Sequence, residues 1–191
     1  MTATLQFIRG EHAALRAMLL SMRLLIERGP RDSPGQFFEV LQAMLFYIDE
    51  FPERLHHPNE SAFLFPKVKR QAPELADVIG KLEADHVSGE HRVRDLQHQL
   101  LAWKFVGDTR RAAFEQAARS YIDFYLQHMQ VEESLVLPAA ERALAPADWD
   151  ELDDVFSAAR DPLAGGPRDP AYDQLFTRIV MTAPAPIGVG P

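Results

Sequence analysis

At 191 residues, with 47% hydrophobic and 25% charged side chains, the chain has the composition of one globular domain long enough to bury a core. Its net charge of -8 leaves no basic patch for nucleic-acid phosphates, and no apolar run approaches the roughly 18 residues of a membrane span. The lack of cysteine removes disulfides, thiolate nucleophiles, iron–sulfur clusters and thiolate zinc sites together.

Leu5, Ile8, Leu15, Leu19, Met22 and Ile26 recur at steps of three and four, which predicts an amphipathic first helix of about 25 residues with His12 in its stripe. Gly29-Pro30 and Ser33-Pro34-Gly35 mark a loop. A second helix is expected from Gln36 to Lys69, with Leu41, Leu45, Ile48, His56, Glu60 and Phe63 near one face and with Pro52, Pro58 and Pro66 bending or interrupting it. Pro73 suits the first turn of a third helix, whose stripe is Ile79, Leu82, His86, Val93, Leu96 and Leu100. After a turn at Gly107-Asp108-Thr109, a fourth helix aligns Phe114, Ala118, Tyr121, Tyr125, His128, Glu132 and Leu135. A short fifth helix, ADWDELDDVFSAAR, follows Pro146; its early acids suit the helix dipole. Residues 161–170 read as a loop and Tyr172 to Met181 as a last helical turn or two. No segment reads as a strand. The expected organisation is a four-helix bundle over 1–145, a helical extension packed on it over 146–181, and a disordered tail over 182–191.

The motif that carries chemistry is written twice. HHPNESAFLFPKVKR lies on HMQVEESLVLPAAER without a gap, superposing His56 on His128, Glu60 on Glu132, Pro66 on Pro138 and Arg70 on Arg142. Residues four apart share one helix face, so each HxxxE pair offers an imidazole and a carboxylate to one cation. Each half also carries a histidine after an acid, Glu11-His12 and Asp85-His86. A single histidine on an apolar stripe is more often a core residue with a hydrogen-bond partner than a ligand. Two buried glutamates repeated with four inward histidines are better explained by a shared metal, because a cation compensates carboxylates that would be costly to bury alone.

Glu90 stands four residues after His86 and forms a third HxxxE, so it joins His12, His56, Glu60, His86, His128 and Glu132 as a candidate ligand, against the plain alternative of a solvated helix acid. His57 lies 100° round from His56 and is expected behind the ligands or exposed; His91 and His98 are expected on the helix flank. Glu133 is expected behind the ligands, Glu11 and Asp85 at the surface, and Tyr47, Tyr121 and Tyr125 in the core close to the ligand faces.

With these residues on four helices, the chain resembles the hemerythrin family, specifically the bacterial proteins with the HHE cation-binding domain. HHPNESAFLFP matches that family's HHPxE…LFP signature and LEADHVSGE its acid-His-xx-Gly segment, and the likeness covers roughly residues 4 to 145. The resemblance implies an all-α, up-down-up-down bundle holding a non-haem di-iron centre, with His12, His56, His86 and His128 as ligands and Glu60 and Glu132 as bridges. The oxygen carriers of the family are similar but have a fifth histidine, in an HxxxH pair on the third helix, where this chain has Glu90. A carboxylate there would favour ferric iron and point away from simple reversible oxygen carriage.

Imidazole and carboxylate also suit zinc or manganese. The expected function is binding or sensing of oxygen, nitric oxide or iron; the alternative is an enzyme reacting with peroxide, oxygen or nitric oxide, and iron storage or iron–sulfur repair ranks below both. The partner is then a small diatomic ligand or peroxide, with no nucleic acid and no membrane; the oligomeric state stays open. MTATLQFIRGEH lacks the basic and apolar stretches of a signal peptide, so a cytoplasmic location is expected.

Overall fold

The computed structural model describes residues 2–31, 33–158, 161–167 and 169–190. Helix α1 is Ala3–Arg28, and its predicted stripe is buried throughout. It stops at Gly29, whose φ of 69° lets its N–H turn back to the carbonyls of Leu25 and Ile26. Helix α2 spans 34–71 and begins at Pro34 itself, two residues before the expected start, because proline suits a first turn where no N–H is needed.

The prolines of α2 do not break it. Where each would remove a hydrogen bond, the coil widens into π turns at Asp49–His56 and Glu60–Leu64, between α-helical pieces Pro34–Ile48, His57–Asn59 and Phe65–Gln71. Helix α3 is Ala76–Val106, entered through a 3-10 turn at Pro73–Leu75. Helix α4 spans 111–143, with its own π turn at Glu132–Val136 before Pro138. The duplicated motif thus folds into a duplicated structure, in which a π turn starts on the glutamate and a proline follows.

Each π turn adds a residue and rotates what comes after it by about one position. Phe63 and Leu135, equivalent in the repeat and both expected inward, are therefore exposed at 37% and 45%, and Leu64 and Val136 are fully buried in their stead.

The four helices pack as a ring, α1 on α2, α2 on α3, α3 on α4 and α4 on α1, joined by short connections in up-down-up-down order. Among the described residues there is no strand. The core falls into two apolar clusters. One holds Leu15 to Ile26 of α1, Phe37 to Phe51 of α2, Val93 to Trp103 of α3 and Phe114 to Met129 of α4. The other holds Leu5 and Ile8, Leu64 to Val68, Ile79 and Leu82, and Val136 to Ala140. Every helix passes from one cluster to the other through its histidine or glutamate, so the polar layer divides the core.

Helix α5, Pro146–Ala158, buries Trp149, Leu152 and Phe156 beside α1; residues 159 and 160, expected to end it, lie outside the described residues. Helix α6, Asp173–Thr182, lays Phe176 and Ile179 on α2. In the tail expected to be disordered, of which residue 191 lies outside the described residues, Val189 N–H donates to the Val180 carbonyl, Gly190 N–H to that of Ala183, and Ile187 N–H to Ser21 Oγ. Glycine permits this approach, since a Cβ at Gly188 or Gly190 would meet a carbonyl oxygen at 2.2 or 2.1 Å. No helix among the described residues is long and apolar enough to cross a membrane.

Candidate metal centre

His12 on α1, His56, His57 and Glu60 on α2, His86 on α3, and His128 and Glu132 on α4 are all buried in the layer between the two clusters. Their ligand atoms form three overlapping groups, each within 4.8 Å: His12, His56 and Glu60; Glu60, His86 and Glu132; and His57, His86 and His128. His56 Nε2 lies 3.3 Å from Glu60 Oε1, and His12 Nε2 lies 3.1 Å from Glu132 Oε2. His86 Nε2 lies 3.6 Å from Glu60 Oε2, and His128 Nε2 lies 3.7 Å from Glu132 Oε1. The two glutamates therefore stand between a pair of imidazoles and a trio.

The fit to a metal can be judged from unsatisfied atoms. His56 Nε2 and all four oxygens of Glu60 and Glu132 are buried without a hydrogen-bond partner. Buried polar atoms are nearly always paired, and two fully buried carboxylates with none would be costly. A cation between them compensates all five atoms at once, and nitrogen with oxygen donors suits a divalent transition metal.

The outward nitrogens are held in a matching way. Glu11 takes His56 Nδ1 at 2.6 Å and Asp85 takes His128 Nδ1 at 3.5 Å; Glu133 takes His12 Nδ1 at 3.1 Å and Ser61 Oγ meets His86 Nδ1 at 2.8 Å. Such partners fix the tautomer so that Nε2 faces the metal. Glu11 and Asp85 are thus not the surface acids expected. Each precedes one inward histidine and supports another across the bundle, which adjacency along one helix cannot reveal. Glu133, expected behind the ligands, is there, and Arg16 also contacts it at 3.3 Å.

Burial lowers the basicity of His12 and His56, but the surrounding glutamates outweigh it and hold both above the ordinary value. At the other end burial and neighbouring imidazoles push His86 down to about 3 and His57 well below its usual range. A metal would therefore compete with protons more at the first pair than at His57 and His86.

Two sequence expectations about the ligand set change. Glu90 is not brought to the centre: its side chain is 41% exposed and pairs with Arg94 Nη2 at 2.7 Å, because its position on α3 faces the flank. His57 is 3% exposed and joins His86 and His128, with its ring stacked on His86 at 4.3 Å. The signal overlooked was Glu53-xxx-His57, another four-residue pair: Glu53 Oε2 takes His57 Nδ1 at 3.0 Å. The fifth buried imidazole thus lies on α2, while the Glu90 carboxylate lies on the flank of α3. His91 and His98 are exposed, as expected of flank residues.

Glu53 also accepts from Tyr121 and Tyr125, at 3.0 and 2.6 Å. Tyr125 reaches it across Gly89, where a Cβ would sit 1.7 Å from the phenol oxygen. Burial raises the Glu53 carboxyl to about 7; the tyrosine hydroxyls oppose the rise, and Asp49 and Glu90 add to it. A carboxyl raised on folding lowers stability as pH climbs from 4.5 through about 7, because the unfolded chain releases the proton first. Glu53→Gln is accordingly expected to stabilise the metal-free protein by about 3 kcal/mol at pH 8 and hardly at all at pH 4. Urea unfolding at the two pH values measures this, and equal effects at both would contradict it.

The sequence profile of the Hemerythrin HHE cation binding domain matches residues 3–140. The chain belongs to this family. The matched residues take in nearly the whole bundle and both HxxxE pairs, and make the chain part of a cation-binding family whose His/Glu groups are present here. Uncharacterized proteins of Mycobacterium tuberculosis and Mycobacterium bovis are 30% identical over 156 residues, covering 76% of this chain and 56% of theirs. The chain thus spans about half the length of the curated relatives it matches. No solved structure matches it.

Proposed function

We propose that this HHE domain holds two non-haem irons and binds or senses a small diatomic ligand, oxygen or nitric oxide. The observation that carries the reading is the set of five unpartnered buried atoms on His56, Glu60 and Glu132, enclosed by imidazoles from all four helices. His12 and His56 would hold one iron, His57, His86 and His128 the other, and Glu60 and Glu132 would join them. Iron bound there supplies a redox change and a coordination position for a diatomic ligand. The chain's own part is to exclude water with the two apolar clusters, to aim each Nε2 through its Nδ1 partner, and to neutralise the cations with two carboxylates.

One observation favours the enzyme reading as second. Tyr125 is a buried phenol hydrogen-bonded to Glu53 and stacked on His57, a place where an oxidisable side chain can exchange a proton and an electron. Elemental analysis of protein from an iron-supplied culture is expected to give two irons per chain. Zinc at one per chain, or no metal, would sink the proposal. Adding oxygen to the reduced protein then separates the readings: a visible band lost on degassing supports binding, and irreversible oxidation or repeated peroxide consumption supports an enzyme.

A further inference from the structure

The cross-bundle support of His56 does not end at Glu11. Glu11 Oε2 holds His56 Nδ1 at 2.6 Å, and Glu11 Oε1 accepts the backbone N–H of Asp161 at 3.1 Å. Asp161 lies beyond the family-matched residues 3–140, in the segment between α5 and α6. Its own carboxylate accepts from the buried Tyr47 hydroxyl on α2 and, at 2.8 Å, from Leu163 N–H, which caps the 3-10 turn Pro162–Ala164. The four residues of this chain, Tyr47, Asp161, Glu11 and His56, are each at most 8% exposed. Glu11, His56 and Asp161 border a narrow, mainly apolar cleft with His12, walled by Leu15, Phe51, Pro52 and Leu55.

Among the described residues the other four supports have no such backing from outside the bundle, Glu53 of His57 being held by Tyr121 and Tyr125 of α4. Glu133 is steadied by Arg16 from α1; Asp85 and Ser61 lie on the bundle's own α3 and α2. Only His56 depends on a residue of the extension among the five supports described. A carboxylate with one oxygen pinned cannot rotate without losing that bond, so a fixed Asp161 N–H fixes which Glu11 oxygen faces His56 and where Nε2 points.

We propose that Asp161 is a positioning residue for the metal centre, acting through Glu11 on His56, and that the C-terminal extension thereby sets the metal affinity of the two-histidine end. The inference rests on the di-iron reading for its metal readout, and a second readout is independent of metal. The decisive comparison is Asp161→Asn with Asp161→Pro. Asparagine keeps the backbone N–H and the one side-chain acceptor that takes Leu163 N–H, and its amide N–H can donate to the Tyr47 hydroxyl in place of the bond that hydroxyl gave. Proline deletes the N–H yet matches the local φ of −66°.

Asp161→Asn is expected to behave as the parent. Asp161→Pro is expected to bind one of two irons about tenfold more weakly in chelator competition and to shift the visible spectrum of the loaded protein. In the metal-free protein, the low-field proton resonance of His56 Nδ1–H bonded to Glu11 is expected in the parent and the Asn variant and is expected to be lost in the Pro variant. A double-mutant cycle guards against simple misfolding: in a Glu11→Ala background the proline substitution should have no further effect on iron affinity. Equal affinity and an unchanged His56 resonance in Asp161→Pro would overturn the inference, and so would full additivity in the cycle. A parent that binds no iron but shows the expected resonance changes overturns the metal reading and leaves the positioning of His56 standing.

Discussion

Glu132→Ala is expected to cut bound iron from two per chain to one or fewer and to remove most of the stability that iron confers, while leaving the metal-free protein as stable as the parent or more so. The two halves of this result have one cause. Without metal, Glu132 is a fully buried carboxylate whose oxygens have no hydrogen-bond partner, near His12 and His128 but aligned with neither. Deleting it relieves a desolvated charge at the expense of a small cavity, two terms of about the same size. With metal, the same carboxylate faces both imidazole groups, so its loss affects both ions. Ligand binding to the folded state adds about 4 kcal/mol at a thousandfold excess over Kd, and that increment should largely vanish. Thermal unfolding with and without iron, beside metal analysis, tests both halves. Full iron loading would refute the ligand assignment; a large loss of metal-free stability would show that Glu132 is held by the apo fold, contrary to its unpartnered oxygens.

The helices were readable from periodicity because one face of each meets the core, and the motif repeat was readable because helical spacing is rigid. What the spacing rule could not anticipate is a change in the helix itself. It treats 3.6 residues per turn as constant, whereas prolines at 52, 66 and 138 accompany wider turns that shift Phe63 and Leu135 outward. The same rule placed His57 away from the ligands and Glu90 toward them, and the structure reverses both. Nor does any one-helix argument reach the supports of the imidazoles, since Glu11 and Asp85 act on α2 and α4. The tail is a different case: a sequence rich in Pro and Gly has little to pack, and its order here rests on backbone bonds to α6 and to Ser21, which composition does not encode.

The repeat gives the centre an approximate two-fold plan that the sequence then breaks. Glu11 and Asp85 support the paired histidines 56 and 128, and Ser61 and Glu133, each following the glutamate of its motif, support His86 and His12. The break comes one residue later than the first histidine of each motif. His57 superposes on Met129 in the repeat, and Glu53 superposes on Tyr125. One half gains an imidazole and its carboxylate partner; the other offers a thioether and a phenol. A nearly symmetric fold thus places three buried imidazoles on one side of the two glutamates and two on the other, and under the proposed di-iron reading the two positions would differ in affinity.

That asymmetry makes His57→Ala the sharpest test of the ligand set when set beside Glu90→Ala. His57→Ala is expected to weaken the more crowded position by at least about 100-fold, since it removes an imidazole that is already neutral and aimed by Glu53, whereas losing a supporting residue alone costs about 10- to 100-fold. In the metal-free protein the substitution leaves a cavity between His86 and Tyr125 and takes one partner from Glu53, a loss of about 2 kcal/mol that must be measured separately. Glu90→Ala breaks only a half-exposed pair with Arg94, so iron content should not change and stability should fall by no more than about 0.5 kcal/mol. Chelator competition on the three proteins decides between α2 and α3 as the source of the extra ligand. If Glu90→Ala loses an iron and His57→Ala keeps both, the third-helix pattern of the sequence holds after all, and α3 must turn its flank inward when metal binds.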